Sequence, residues 1–314
     1  MTTSDAPSQK PARPVAALVL MILGPFLLGC IIAPMVFSFL ASLKDAGSLP
    51  AWLGSDLRFE RVTSRCVMIS ALLLLVPAIR LAGLGAKLKA DLTPRPARWT
   101  DLGHSVLIGC ASMFAIYVGG WLIGAYRLGN DTGDLVTELG TILLFLIGAV
   151  FVGLFEESFF RGFLFGALRL RAGLWPAAVL AGAFFSSVHF LRPDAPGIVT
   201  DVTWRSGFDL VPYLFARFDI AKDWPSALTL FLMGVTLCLY YEKQGHLLYV
   251  IGLHGGWVWA MRLGGHYFDR NRDVFEWFFS RSDLISRGPV AILVILGFLF
   301  AALRMKPQIK APLL

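Results

Sequence analysis

The segment GLFEESFFRGFLFG, residues 153–166, sets two adjacent carboxylates and one cation among Phe, Leu and Gly. A carboxylate at the centre of a membrane helix costs about 2.5–3.5 kcal/mol even on lenient insertion scales, so Glu156, Glu157 and Arg161 require a reason. Glu157 and Arg161 are spaced i,i+4, share a helix face and can pair. Glu156 is turned by about 100° from Glu157 on an α-helix and is the less neutralised of the two. A buried ion pair that locks helix packing accounts for Glu157 and Arg161 as well as a chemical role does. It accounts less well for Glu156, because one Arg serves two carboxylates poorly.

Two histidines join them. His189 stands in FFSSVHF, with Phe185 four residues earlier, where its ring can lie against the imidazole. His254 stands in IGLHGGWVWAM beside Gly255 and Gly256, which admit a close neighbour. One histidine on an apolar helix is more often a satisfied core residue than a catalyst. Three helices each carrying an ionisable group are harder to explain that way. Counted from the same membrane face, Glu156, His189 and His254 lie about 20, 20 and 12 Å deep, near mid-bilayer. That predicts one shared polar cavity. His104 and His246 fall at predicted helix ends and His266 in a loop, where solvation suffices.

A carboxylate and a histidine converging in a dry cavity suit water activation. The carboxylate takes the proton, one histidine shares or orients the water, and a second can donate to the oxyanion of a tetrahedral intermediate. This is hydrolysis of an amide or ester without a covalent enzyme intermediate. Glu156, His189 and His254 are also a zinc ligand set, so a metal-dependent version stands as the alternative. No HExxH pair is present, and the metal-free reading, with no cofactor, is preferred. Serine catalysis through Ser158, Ser186 or Ser187 finds no triad in helical phase.

These residues must be held by membrane helices. Of 314 residues, 56% are hydrophobic and 16% charged, with a mean hydropathy of +0.68, whereas a soluble domain carries about 25% charge. The predicted fold is all-α and polytopic, with about eight transmembrane helices near 15–42, 63–84, 102–124, 139–168, 175–191, 227–241, 247–263 and 288–304. The site falls on the fourth, fifth and seventh. Residues 1–14 read as a disordered cytoplasmic tail, 15–304 as one membrane domain, and 305–314 as a second cytoplasmic tail. Loop Lys and Arg place both termini in the cytoplasm of a cell (plasma or inner) membrane protein. The loop 264–287, with Arg270, Arg272, Arg281 and Arg287, runs against that bias and reads as interfacial. The long loop 192–226 reads as a partly ordered cap. The net charge of +7 forms no basic stripe with interleaved aromatics, which excludes a nucleic-acid partner. Cys30, Cys66, Cys110 and Cys238 form no CxxC and read as packing residues.

The sequence resembles the CAAX prenyl protease and bacteriocin-processing (CPBP, or Abi) intramembrane proteases. Their pattern is EExxxR, then FxxxH, then HxxxN on three membrane helices. Here EESFFR spans Glu156–Arg161, FSSVH spans Phe185–His189, and HGGWV spans His254–Val258. The resemblance covers roughly residues 139–262. It implies Glu156 as general base, His189 as its assistant, His254 in the oxyanion site, and Glu157 and Arg161 as supports. Phe185 belongs to the second motif. Val258 departs from the family's Asn and removes a donor, for which Trp257, Trp259 or a backbone amide near Gly255 is the expected substitute.

The implied function is cleavage of a membrane-embedded or lipidated peptide within the bilayer. A catalytically silent scaffold or immunity protein of the same fold is the rival, favoured by Val258. A proton-coupled transporter is a third reading. It lacks the paired broken helices of two matching halves.

Overall fold

A computed structural model describes residues 12–50, 57–93, 95–129, 133–191, 199, 201–216, 218–279, 285 and 288–307. Outside them lie most of both expected tails, including Lys10 and Lys310, residues 192–198 of the expected cap, and Arg281 and Arg287.

The elements follow from apolar runs closed by punctuating residues. Helix α1 (Pro14–Asp45) and helix α2 (Phe59–Leu81) come first. A short helix α3 (Gly85–Leu92) precedes α4 (Pro96–Leu122). Pro14 and Pro96 open their helices at the first turn, where a missing N–H costs nothing. Strand β1 (Tyr126–Leu128) leads to α5 (Leu135–Glu157), whose Asp134 side chain accepts from the Thr137 amide at 2.8 Å. The chain then continues through a π-helical segment (Ser158–Phe165) into α6 (Gly166–Ala172). Next come α7 (Leu174–Val188), the four-residue α8 (Ser206–Asp209), α9 (Ile220–Gln244) and α10 (Leu247–Tyr267). Strand β2 (Phe268–Arg270), α11 (Glu276–Phe279) and α12 (Pro289–Arg304) complete the order. Gly245, at φ +77°, ends α9 in the left-handed conformation that lets α10 begin at once.

Each of the eight expected stretches is helical over most of its length, although the helices end at Leu81 and Val188 where 84 and 191 were expected. Among the described residues, five stretches are long and apolar enough to cross a membrane: Pro14–Asp45, Phe59–Leu81, Pro96–Leu122, Leu135–Ala172 and Ile220–Gln244. Helices α7 and α12 are shorter apolar helices. The protein is an all-α polytopic membrane protein. Among the described residues its one departure is an antiparallel ribbon pairing Tyr126 with Arg270 and Leu128 with Phe268. The segment read as a loop from residue 264 starts later, because α10 runs on to Tyr267 and holds His266 in its last turn. His104 lies within α4 rather than at its end, since that helix starts at Pro96.

The chain forms two compact units, Met1–Ala86 with Arg192–Arg217, and Lys87–Leu191 with Phe218–Leu314. In the first, α1 packs along α2, and Ala33, Phe59, Val62, Cys66 and Leu210 form a buried cluster. The second contains every candidate site residue. Its helices approach closely through glycine. A Cβ on Gly256 of α10 would sit 2.5 Å from the Val106 carbonyl of α4. One on Gly234 of α9 would sit 2.6 Å from the Gly182 Cα of α7. Small residues let membrane helices pack by van der Waals contact without a hydrophobic driving force.

Candidate active site

Residues Leu135–Ala172 run as one continuous helical span, and its middle is wound as a π-helix immediately after the two glutamates. Such a turn changes the rotation between residues before and after it and often marks a functional site. Here the segment Ser158–Phe165 keeps Arg161 on Glu157. Arg161 Nη1 donates to Glu157 Oε1 at 2.8 Å, and both side chains are fully buried. The expected ion pair is present.

Arg161 is held from three further directions. Its Nη2 donates to the Gly234 carbonyl of α9 at 3.3 Å. Its guanidinium lies 4.8 Å from the Phe185 ring centroid and 5.7 Å from that of Phe160, a contact worth about 2 kcal/mol or more when desolvated. The Gly182–Gly234 contact is what brings that carbonyl within reach. Phe185 itself is fully buried, packed edge-on against Phe160 at 4.8 Å. The packing residue of the second motif is thus also the wall that shields the cation.

His254 takes a place that the sequence did not indicate. Its Nδ1 lies 2.7 Å from Glu157 Oε1, the same oxygen that accepts from Arg161. Glu157, paired with Arg161 as a carboxylate, offers only acceptors, so the Nδ1 proton is on His254 and donates. His254 Nε2 is then a lone pair in the neutral ring. It donates only when the imidazole carries both protons.

His189, the C-cap residue of α7, follows the same logic. Its Nδ1 lies 2.7 Å from the Phe185 carbonyl, which can only accept. The Phe185 ring centroid lies 4.6 Å from that of the imidazole with the planes tilted by 51°, the i−4 contact expected from spacing. Nε2 of His189 is therefore also presented as a lone pair. Glu156, His254 and Arg161 all lie close enough to act electrostatically on His189. Glu156 is half-buried, and its Oε2 is enclosed without a hydrogen-bond partner among the described residues. The two glutamates differ in their partners: Glu157 Oε1 is committed to Arg161 and His254, Oε2 of each glutamate is enclosed without a hydrogen-bond partner among the described residues, and Glu156 acts electrostatically on His189.

The donors expected to replace the family's Asn are otherwise engaged. Trp257 Nε1 donates to Ser112 Oγ at 3.1 Å, and Trp259 Nε1 donates to the Ile142 carbonyl at 3.3 Å. Gly255 lies inside α10, where its amide belongs to the helix ladder. Val258 is half-buried one turn beyond His254. A second imidazole N–H fixed by an acceptor is also how metal-binding histidines are oriented. Among the described residues, however, no three His, Cys, Asp or Glu side chains are grouped to hold a metal ion.

Sequence reasoning missed two further features. Asp91 of α3 is buried, accepts from Lys87 at 2.7 Å and from the Tyr241 hydroxyl of α9 at 2.5 Å. Leu88, on the same short helix, fills the space above Gly162 of the π segment. Helix α3 therefore pins the polar end of α9 and the π turn together. Its brevity hid it, since eight residues carry little periodicity. The other feature is Arg262, a cation within the predicted seventh span, which its apolar neighbours obscured.

Residues 138–260 match the family described as type II CAAX prenyl endopeptidase, Rce1-like. No curated protein and no solved structure gives a match. The matched segment contains all three motifs, and it supports a CAAX-type intramembrane protease in general terms. The resemblance carried by EESFFR, FSSVH and HGGWV is thus borne out, and residues 138–260 match the CPBP family of CAAX proteases.

Proposed function

We propose that the protein is an intramembrane endopeptidase that hydrolyses a peptide bond of a membrane-embedded or lipidated substrate through water activated by Glu156 and His189. The observation that carries this reading is the fixed tautomer of His189. With Nδ1 bound to the Phe185 carbonyl, Nε2 can accept from a water that also meets the unengaged oxygen of Glu156. The carboxylate takes the proton as the water attacks the carbonyl carbon, and returns it to the leaving amine. Glu157 and Arg161 orient His254 from behind. His254 serves the oxyanion from Nε2 in its doubly protonated form. Both termini are assigned to the cytoplasm, in a plasma or inner membrane, from the Lys and Arg of the loops.

Val258 favours a second reading, a silent scaffold of the same fold, because both nearby indoles are already bonded elsewhere. Losing one oxyanion donor typically costs about 10²–10³ in rate. The enzyme reading therefore expects slow turnover, and Val258→Asn is expected to hold or raise it. A clear loss in that variant would mean the oxyanion site is built differently.

The deciding experiment is cleavage of a quenched membrane-peptide library by purified protein, beside Glu156→Gln, with and without chelator. Cleavage abolished only in the variant supports the metal-free mechanism. Normal turnover by Glu156→Gln ends it. Loss with chelator and recovery with zinc transfers the assignment to the metal-dependent version. No cleavage by a well-folded sample favours the scaffold.

A further inference from the structure

We infer that helix α3 and Tyr241 clamp the π segment, with Leu88, Asp91 and Tyr241 as positioning residues that hold Arg161 on Glu157. The bearing of this clamp on catalysis rests on the peptidase reading. Eight residues of π-helix exceed the single turn usual for this rare form, so contacts from outside the segment must hold it. Helix α3, also eight residues long, is too short to be stable alone. Each of the two short elements is held by the other.

Three contacts make the clamp. Lys87 Nζ donates to both Asp91 oxygens at 2.7 Å, and the Tyr241 hydroxyl donates to Asp91 Oδ2 at 2.5 Å. The Tyr241 ring stands edge-on to Phe165, the last residue of the π segment, with centroids 6.1 Å apart. Leu88 shares a face of α3 with Asp91, and its Cδ1 would lie 2.7 Å from a Cβ on Gly162. The missing side chain of Gly162 is the seat for Leu88. The far end of α3 is fixed as well. The Thr93 hydroxyl donates to the Lys89 carbonyl at 2.6 Å, and Arg98 Nη1 donates to the Ala90 and Thr93 carbonyls.

What the clamp holds is the ion pair. Gly162 directly follows Arg161 in the chain. Gly234, Cys238 and Tyr241 are spaced four and three residues apart, so they line one buried stripe of α9. The Gly234 carbonyl accepts from Arg161 at 3.3 Å. Arg161 and Glu157 both lie close enough to act electrostatically on Cys238, and Cys238 in turn on Tyr241. Tying Tyr241 to Asp91 therefore sets the rotation of α9 that presents Gly234 to Arg161. Seating Leu88 on Gly162 fixes the π segment from the other side. A return from i→i+5 to i→i+4 pairing would turn Arg161 relative to Glu157. It would also disturb the Glu157 oxygen that holds His254.

The test measures backbone amide exchange and turnover on the purified full chain in nanodiscs. Tyr241→Phe keeps the ring and removes the hydroxyl, and Leu88→Ala empties the seat at Gly162. Both are expected to speed exchange of the π segment by about 10-fold or more, while α12 holds its rate. With a library peptide that wild type cuts, both are expected to lower kcat by about 10- to 100-fold at unchanged KM. Asp91→Asn, which keeps an acceptor for Tyr241, is expected to hold kcat near wild type, whereas Asp91→Leu falls with Tyr241→Phe. Unchanged exchange of the π segment, or faster exchange throughout the chain, overturns the clamp. Faster exchange confined to the π segment with wild-type kcat overturns the positioning role. A loss in Asp91→Asn equal to that in Asp91→Leu overturns it too. If wild type cuts no peptide, the peptidase reading fails and exchange decides the clamp by itself. Loosening confined to the π segment then supports the clamp, and any other result overturns it.

Discussion

Two halves of one helical span obey different rules. Along α5, Leu144 and Val150 are 66% and 56% exposed, as apolar side chains facing lipid would be. About two to four turns later, Glu157, Arg161, Phe163 and Phe165 are fully buried. The first half needs only to be apolar, because lipid tails select for nothing else. The second half is enclosed by α7, α9 and α10, and enclosure is what makes charge tolerable there. Arg161 has a carboxylate, a backbone carbonyl and two aromatic faces. A charge in the first half would have none of these. The polar half of the helix is therefore the more specified, and the π turn lies within it.

That contrast can be broken from either side. The largest effect is expected for Glu156→Gln, which keeps shape and loses the base. Cleavage should fall by about 10²–10⁴-fold, with the melting temperature in detergent unchanged. A parallel drop in melting temperature would instead make Glu156 a packing residue like its neighbour.

Next comes the ion pair. Arg161→Met leaves Glu157 enclosed without its cation and should cost about 3–5 kcal/mol in thermal or denaturant unfolding. Adding Glu157→Gln should recover part of that loss. Strict additivity of the two changes would show that the pair is not coupled.

A third change acts through the seam that sets α10 in place. Gly256→Val forces a side chain against the Val106 carbonyl, which a Cβ alone would approach to 2.5 Å. Overpacking of this kind costs about 1–3 kcal/mol, and it should also lower cleavage by shifting His254 on Glu157. Unchanged cleavage would show that the seam does not position the histidine. The smallest effect belongs to the lipid-facing half, where Leu144→Ala should alter stability by no more than about 0.5 kcal/mol. A larger loss would mean that this face is covered by protein.

Much of this was legible in the sequence because hydrophobic length and motif order are local properties. The eight apolar stretches are helical over most of their length, and Phe185 lies beside His189 as the i−4 spacing required. The pairing of Glu157 with Arg161 was equally readable, since four residues along a helix return to the same face. Short or irregular elements were not. Helix α3 is too brief to show a period, and the ribbon between Tyr126–Leu128 and Phe268–Arg270 joins strands far apart in the chain.

The sequence alone determined which residues carry charge into the membrane and on which helices they lie, because burial cost makes such residues rare and visible. Which carboxylate meets which histidine was decided only in three dimensions. Glu156 and Glu157 are adjacent and chemically alike, so no local pattern separates them. The rotation of α5, the π turn after it and the glycine contacts of α7, α9 and α10 give Glu157 Oε1 to both Arg161 and His254 and leave Glu156 outside that pairing, acting on His189. The engaged indoles of Trp257 and Trp259 are of the same kind. Their acceptors, Ser112 and Ile142, lie more than 100 residues away in the chain, and only packing brings them near.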